Sequence, residues 1–196
     1  DIYINEAFSC SHRKQASIHK ITSFIKSYGG PILKKEIQSI SLILKNKKKP
    51  VTCIIGGSKV STKINVLSTL SLKADNLIIV GAMANNFLKF QGINIGASVV
   101  EKDSYKIVKN IKLIAKKNKC NILIPVDCNA SQSLDGKSTY KDFKDLDSKD
   151  IILDIGKNTI AMISKTIDDS KTVFWNGPAG YYENKNFSIG SLAIAK

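Results

Sequence analysis

At 196 residues, 43% of them apolar and 23% charged, the chain is long enough for one full domain, or one domain and a piece of another. That composition excludes intrinsic disorder, and no apolar run approaches the roughly 20 residues of a membrane-spanning helix. The net charge of +14 attracts phosphates and raises nucleic-acid binding as a class, yet 29 of the 30 basic residues are Lys and Arg13 is the only arginine.

Arginine is the usual bidentate reader of phosphates and guanines, so its near absence argues against a nucleic-acid interface. The lysines spread along the whole chain, with Lys45, Lys47, Lys48 and Lys49 as the one dense run. A general lysine bias over solvated faces accounts for the charge. Cys10, Cys53, Cys120 and Cys128 have no CxxC spacing and lie among apolar neighbours. The expectation is buried free thiols in a reducing compartment, which points to the cytoplasm. The sequence enters at Asp1 in the alternating stretch Ile2-Tyr3-Ile4, and nothing there reads as a signal peptide.

In chain order, residues 1–28 read as the end of something upstream. Residues 31–45 predict one long helix, with Pro31 in its first turn after Gly29-Gly30 and Leu33, Ile37, Ile40 and Leu44 at helical spacing. The Lys-rich turn of residues 46–50 is a boundary. Beyond it, short runs rich in Ile, Val and Leu at 51–55, 76–80, 121–124, 151–154 and 172–175 alternate with amphipathic stretches at 61–73, 84–91, 102–118 and 159–167. Near-continuous apolar runs suit strands buried on both faces. Their alternation with helices predicts an α/β, doubly wound parallel sheet. Residues 129–150 are polar and read as a surface excursion, while Trp175 reads as core packing.

Small turn residues follow each predicted strand: Gly56-Gly57, Gly81, Pro125, Gly156 and Asn176-Gly177-Pro178. An open parallel sheet binds ligands at the carboxyl ends of its strands, so these turns are expected to line one edge and to bring backbone N–H groups to phosphate oxygens. The sharpest is Gly56-Gly57-Ser58-Lys59-Val60-Ser61-Thr62-Lys63. A phosphate there would meet free N–H groups and the dipole of a helix beginning near Ser61. Lys59 and Lys63 are four apart and share a helix face. The pattern is neither GxxxxGK[ST] nor GxGxxG, so no generic nucleotide signature applies.

GGSKVSTK resembles a signature of the phosphoglycerate kinase family, and the likeness extends over the chain. DIYINEAFSCSHRKQAS at 1–17, PILKKEI at 31–37, LIIVGAMANNFLK at 77–89, LDIGKNT at 153–159 and WNGPAGYYE at 175–183 are similar to that family's motifs, in its order and spacing. The resemblance implies a Rossmann-like two-domain kinase that moves a phosphoryl group between 1,3-bisphosphoglycerate and ADP, giving 3-phosphoglycerate and ATP with Mg2+. It implies residues 1–28 as the tail of the substrate domain, 29–49 as inter-domain helix and turn, and 50–196 as nucleotide domain. His12 and Arg13 are then substrate-binding. Lys59 and Lys63 are catalytic and bind the nucleotide together with Asn176, Gly177 and Glu183. His12 is equally readable as a structural histidine, and Glu183 as a solvated carboxylate. Asp127 and Asp154 have only their position at strand ends to suggest a metal, so no metal ligand is assigned.

Departures from the pattern accompany the likeness. Ser9, Gln15 and Lys157 replace the family's Gly, His and Pro, and Val80 and Ala82 interrupt a glycine run, which is expected to crowd the base. The arginine-bearing N-terminal segment and the Gly-Gly-Asp-Thr loop that positions magnesium are not among these 196 residues. The expectation is an internal portion of the enzyme, incomplete at both ends and inactive alone, monomeric when complete, with no nucleic-acid or membrane partner.

Overall fold

The computed structural model describes residues 1–45 and 48–196; Asn46 and Lys47 of the predicted turn, and the Leu44 side chain, lie outside the described residues. The chain divides into two compact units, Asp1–Lys47 and Lys48–Lys196. In the first, β1 (Ile2–Asn5) and β2 (Lys26–Gly29) pair in parallel, and α1 (Pro31–Lys45) follows. Its first amides have no partner within the helix. The Glu6 carboxylate supplies one, accepting from Ile32 N at 2.8 Å and Leu33 N at 3.0 Å. Of the predicted stripe, Leu33 is buried, Ile40 half-buried and Ile37 exposed.

The second unit contains β3 (Val51–Ile55), α2 (Ile64–Ser71), β4 (Asn76–Ile79), α3 (Ala84–Phe90), α4 (Ser104–Lys117) and β5 (Asn121–Leu123). It continues through β6 (Asp127–Ser131), β7 (Thr139–Asp142), β8 (Ile151–Ile155), α5 (Lys157–Asp168), β9 (Thr172–Asn176) and α6 (Ile189–Ala195). Four strands form a parallel sheet in the order β5-β4-β3-β9. Residues Cys53, Ile55, Leu77 and Ile79 face one side and pack with Leu67, Phe87 and Ile111. Ile54, Ile78 and Val80 face the other and pack with Ile163 of α5. Helices therefore cover both faces, the doubly wound arrangement expected from near-continuous apolar runs.

Three expectations fail here. The run at 151–154 does not enter the parallel sheet: β8 pairs antiparallel with β6, in a separate three-stranded sheet ordered β7-β6-β8. Nor is 129–150 a mere surface excursion. It carries much of β6 and all of β7, and Cys128, Ala130, Phe143 and Leu146 bury a third cluster with Leu88 and Ile95. Trp175 is also misread. On the outermost strand it stays 37% exposed, its indole N–H donating to Gly177 O at 2.6 Å. Among the described residues, no helix is long and apolar enough to cross a membrane.

Candidate functional site

The pairing of Ile55 with both Ile79 and Asn176 aligns the carboxyl ends of β4, β3 and β9. From β3 the chain crosses to β4 on one side, and it returns by β9 on the other. The switch point lies between β3 and β9, where open α/β sheets bind ligands. The turns beyond these strands are welded backbone to backbone: Gly56 N donates to Asn176 O at 2.8 Å, Gly81 N to Ala179 O at 3.0 Å, and Met83 N to Gly57 O at 2.8 Å. Gly81 (φ +68°) and Gly177 (φ +85°) adopt left-handed conformations. A Cβ on Gly177 would lie 2.6 Å from Gly56 O, and one on Gly81 2.9 Å from Gly57 N, so only glycine lets the loops approach this closely.

The Lys63 ammonium bridges the switch point, donating to Gly56 O and to Asn176 Oδ1, each at 2.8 Å. Partial burial lowers its pKa from the ordinary lysine value. Lys59 is exposed at the tip of the turn. The amides just beyond it are not free. Val60 N donates to Glu101 Oε1, and Ser61 N to both carboxylate oxygens at 3.2 and 3.3 Å. The phosphate expected at the start of that helix would have to displace a carboxylate. Burial acts to raise the Glu101 pKa, but hydrogen bonds from Ser61 and Val60 and the Lys59 charge outweigh it and hold the group below the usual glutamate value. Sequence reasoning missed Glu101 entirely.

Beside these loops opens a cavity of about 360 Å³. Its wall includes Gly57, Ser58, Gly81 and Ala82 on one side, Pro125 and residues 151–155 on another, and Pro178–Tyr181 with Glu183. Leu88, Val99 and Leu134 make much of it apolar. Glu183 is otherwise exposed. Val80 does not crowd this space, because it is fully buried on the α5 face of the sheet; Ala82 does line it.

Gly156 belongs elsewhere. It precedes α5, and a Cβ there would collide with the Asp127 carboxylate. Asp127, fully buried, accepts from Asn158 N at 2.8 Å, Thr159 N at 2.9 Å and Thr159 Oγ1 at 2.6 Å, which caps α5 from another sheet. Asp154 is equally occupied, by Ile155 N at 2.9 Å and Gly190 N at 2.8 Å. Burial pushes its pKa up to about 6. Among the described residues, no three His, Cys, Asp or Glu side chains gather as a metal site would require.

The family model for phosphoglycerate kinase matches residues 1–196. The chain belongs to the phosphoglycerate kinase family. The phosphoglycerate kinase of Wolbachia sp. subsp. Drosophila simulans is 44% identical over 197 residues, covering 100% of this chain and 50% of its own length. That of Bartonella bacilliformis is 41% identical over 198 residues, with the same two coverages. The solved phosphoglycerate kinase from Coxiella burnetii superposes with a TM-score of 0.87 at 38% identity, over 100% of this chain and 52% of its own. The Pyrococcus horikoshii enzyme, at 24% identity and a TM-score of 0.81, shares the fold. The chain thus spans about half the length of the curated relatives it matches. Of the family's motifs, GGSKVSTK and WNGPAGYYE meet at the switch point, whereas LDIGKNT ends in the cap of α5. His12 and Arg13 are exposed in a turn of the first unit, where Arg13 N donates to Cys10 O at 2.9 Å.

Proposed function

We propose that the chain serves phosphoryl transfer between 1,3-bisphosphoglycerate and ADP, with residues 50–196 as the nucleotide domain. In this reading 29–49 form the connecting helix and turn, and 1–28 end the substrate domain. The observation that carries the reading is the Lys63 ammonium held between Gly56 O and Asn176 Oδ1 at a sheet switch point. It is supported by a family match running the length of the chain.

A loose phosphoryl transition state needs positioning and positive charge more than covalent help. Lys63 is suited to it because both its partners are neutral, so its charge is not cancelled. Lys59, four residues earlier, adds a second ammonium from the solvent side. In this reading Glu183, on the cavity wall, accepts from ribose hydroxyls, and Asn176 and Gly177 border the phosphates. His12 and Arg13 hold the phosphoglycerate. Magnesium would accompany the nucleotide as its counter-ion. Asp127 and Asp154 do not fit a site for it, since both already accept from backbone N–H groups. A cytoplasmic location accords with four free cysteines.

Because the chain covers half of its relatives' length, the reading includes no turnover by these 196 residues alone. Binding is the direct test. Calorimetric titration with Mg-ADP is expected to give saturable, stoichiometric binding that duplex DNA does not displace. Heat that vanishes in the presence of DNA, or no binding, would overturn the proposal in favour of a basic nucleic-acid module or of neither.

A further inference from the structure

Lys59 stands at the exposed tip of a turn, yet the backbone on either side of it is held. Before it, Gly57 O accepts from Met83 N at 2.8 Å. After it, Val60 N and Ser61 N both donate to the Glu101 carboxylate, Ser61 N at 3.2 and 3.3 Å to its two oxygens. The carbonyl of Lys59 itself accepts from Thr62 Oγ1 at 3.1 Å.

The two anchors are parts of one structure. Met83 O accepts from Asn86 Nδ2 at 3.1 Å, and Asn86 Oδ1 accepts from Glu101 N at 3.0 Å. Hydrogen bonds therefore run from Gly57 through Met83, Asn86 and Glu101 to Val60 and Ser61. They close a ring whose remaining arc is the turn 57–61, with Lys59 near its middle. Met83 is fully buried and Asn86 is 2% exposed, so the ring is rooted in the core, where polar networks are rigid. Glu101 commits its oxygens to backbone amides. Among the described residues no ion pair joins it to Lys59, so the ammonium is left to an incoming anion while the backbone beneath it is fixed. Neither Asn86 nor Glu101 belongs to the cavity wall.

Resting on the phosphoryl-transfer reading above, we infer that Glu101, itself tied down by Asn86, is a positioning residue for Lys59: it clamps the turn so that the ammonium is presented to the phosphoryl group in flight. Glu101 touches no substrate and acts through the lysine. A group fixed before the reaction loses less freedom in the transition state, so the effect falls on the rate of transfer more than on nucleotide affinity.

The test is a double-mutant cycle in the full-length enzyme proposed to contain this chain, read as kcat and as KM for nucleotide. Its members are the wild type, Lys59→Ala, Glu101→Gln and the two combined. Glu101→Gln is expected to lower kcat about tenfold and to change KM less, the pattern of a displaced catalytic group. In the Lys59→Ala background the same substitution is expected to leave kcat within about twofold, because the group it positions is gone. A merely structural glutamate would lower kcat equally in both backgrounds. Equal losses overturn the inference, as does an unchanged kcat for Glu101→Gln, and both leave the phosphoryl-transfer reading standing. Glu101→Asp, which keeps the carboxylate on a shorter side chain, runs the same cycle should Glu101→Gln fail to fold. Wild-type kcat in Lys59→Ala overturns the inference alone, and wild-type kcat in both Lys59→Ala and Lys63→Ala overturns the reading with it.

Discussion

Lys63 Nζ lies 2.8 Å from Asn176 Oδ1, a contact that joins positions 113 residues apart at the point where the parallel sheet reverses its strand order. A second acceptor, Gly56 O, stands at the same distance. An ammonium has three N–H donors, so one is left without a partner among the described residues. Lys141 offers the contrast: it meets Asp150 at 2.6 Å and Asp147 at 3.4 Å, and its charge is spent on carboxylates. Two lysines of one chain are thus distinguished by the company they keep. Partial burial sharpens the difference, because a less hydrated ammonium is felt more strongly by an approaching anion.

The Glu101 carboxylate does for the Lys59–Ser61 turn what a capping side chain does for a helix. Glu101→Gln, which retains one acceptor and loses the charge, is expected to cost about 1 kcal/mol of stability at neutral pH. The sign with pH follows from a folded pKa held below the unfolded one. Such a group stabilises above the unfolded pKa, and the contribution fades as pH falls through the folded value. Urea unfolding followed by Trp175 fluorescence should therefore find the gap between wild type and variant closing on acidification below the ordinary glutamate range. A gap constant down to pH 3 would mean that the turn holds without the charge.

What was legible in the sequence was burial. Val51–Ile55 is a strand because a two-sided core asks for apolar or β-branched residues at nearly every position, whereas Thr172–Asn176, equally apolar, forms the sheet edge with Val173 and Trp175 exposed. Ile151–Ile155 meets the same demand in an antiparallel sheet, so the run reveals burial and not the sheet it joins. The hairpin β6–β7 was hidden for the opposite reason. Two of its polar residues are structural, with Asp127 capping α5 and Asn129 Nδ2 donating to Ile155 O at 2.9 Å, and its buried positions are the small Cys128 and Ala130. Lys63, Asn176 and Gly177 were visible as residues in turns after strands. Glu101 was not, because a carboxylate 40 residues from the amides it serves leaves no local pattern.

Asp154 carries the reverse pH signature. Its folded pKa of about 6 lies above the ordinary aspartate value of 3.8, because burial disfavours the charged form. A raised acid holds its proton more tightly when folded, so its contribution is complete below pH 3.8 and is lost as pH rises through about 6. Asp154→Asn cannot accept from both Ile155 N and Gly190 N and is expected to be destabilised at all pH values. The deficit should shrink between pH 4 and pH 7 by up to about 3 kcal/mol, the equivalent of some two pK units. The same fluorescence-monitored unfolding at the two pH values reads it directly. A deficit that grows with pH would make Asp154 a stabilising anion instead, with an unrecognised cation nearby.

The sharpest comparison sets the two site lysines against a third that differs only in position. In the full-length enzyme proposed to contain this chain, Lys59→Ala and Lys63→Ala are each expected to lower kcat by roughly 10²- to 10³-fold, the usual cost of one preorganised charge at a transition state. KM for nucleotide should change less, because the charge that matters develops during transfer. Lys48 is exposed beside the predicted boundary turn, and its side chain has no part in the switch-point contacts. Lys48→Ala should leave kcat within about a factor of two, since exposed charges contribute ~0–1 kcal/mol. Lys63 adds an internal check. Asn176→Leu removes one of its two acceptors without removing the charge, so its loss in kcat should fall between those of Lys48→Ala and Lys63→Ala. Steady-state rates at saturating phosphoglycerate measure all four variants. Small and equal effects at Lys48, Lys59 and Lys63 would reduce GGSKVSTK to a strand-to-helix turn, and the proposed function would fall with it.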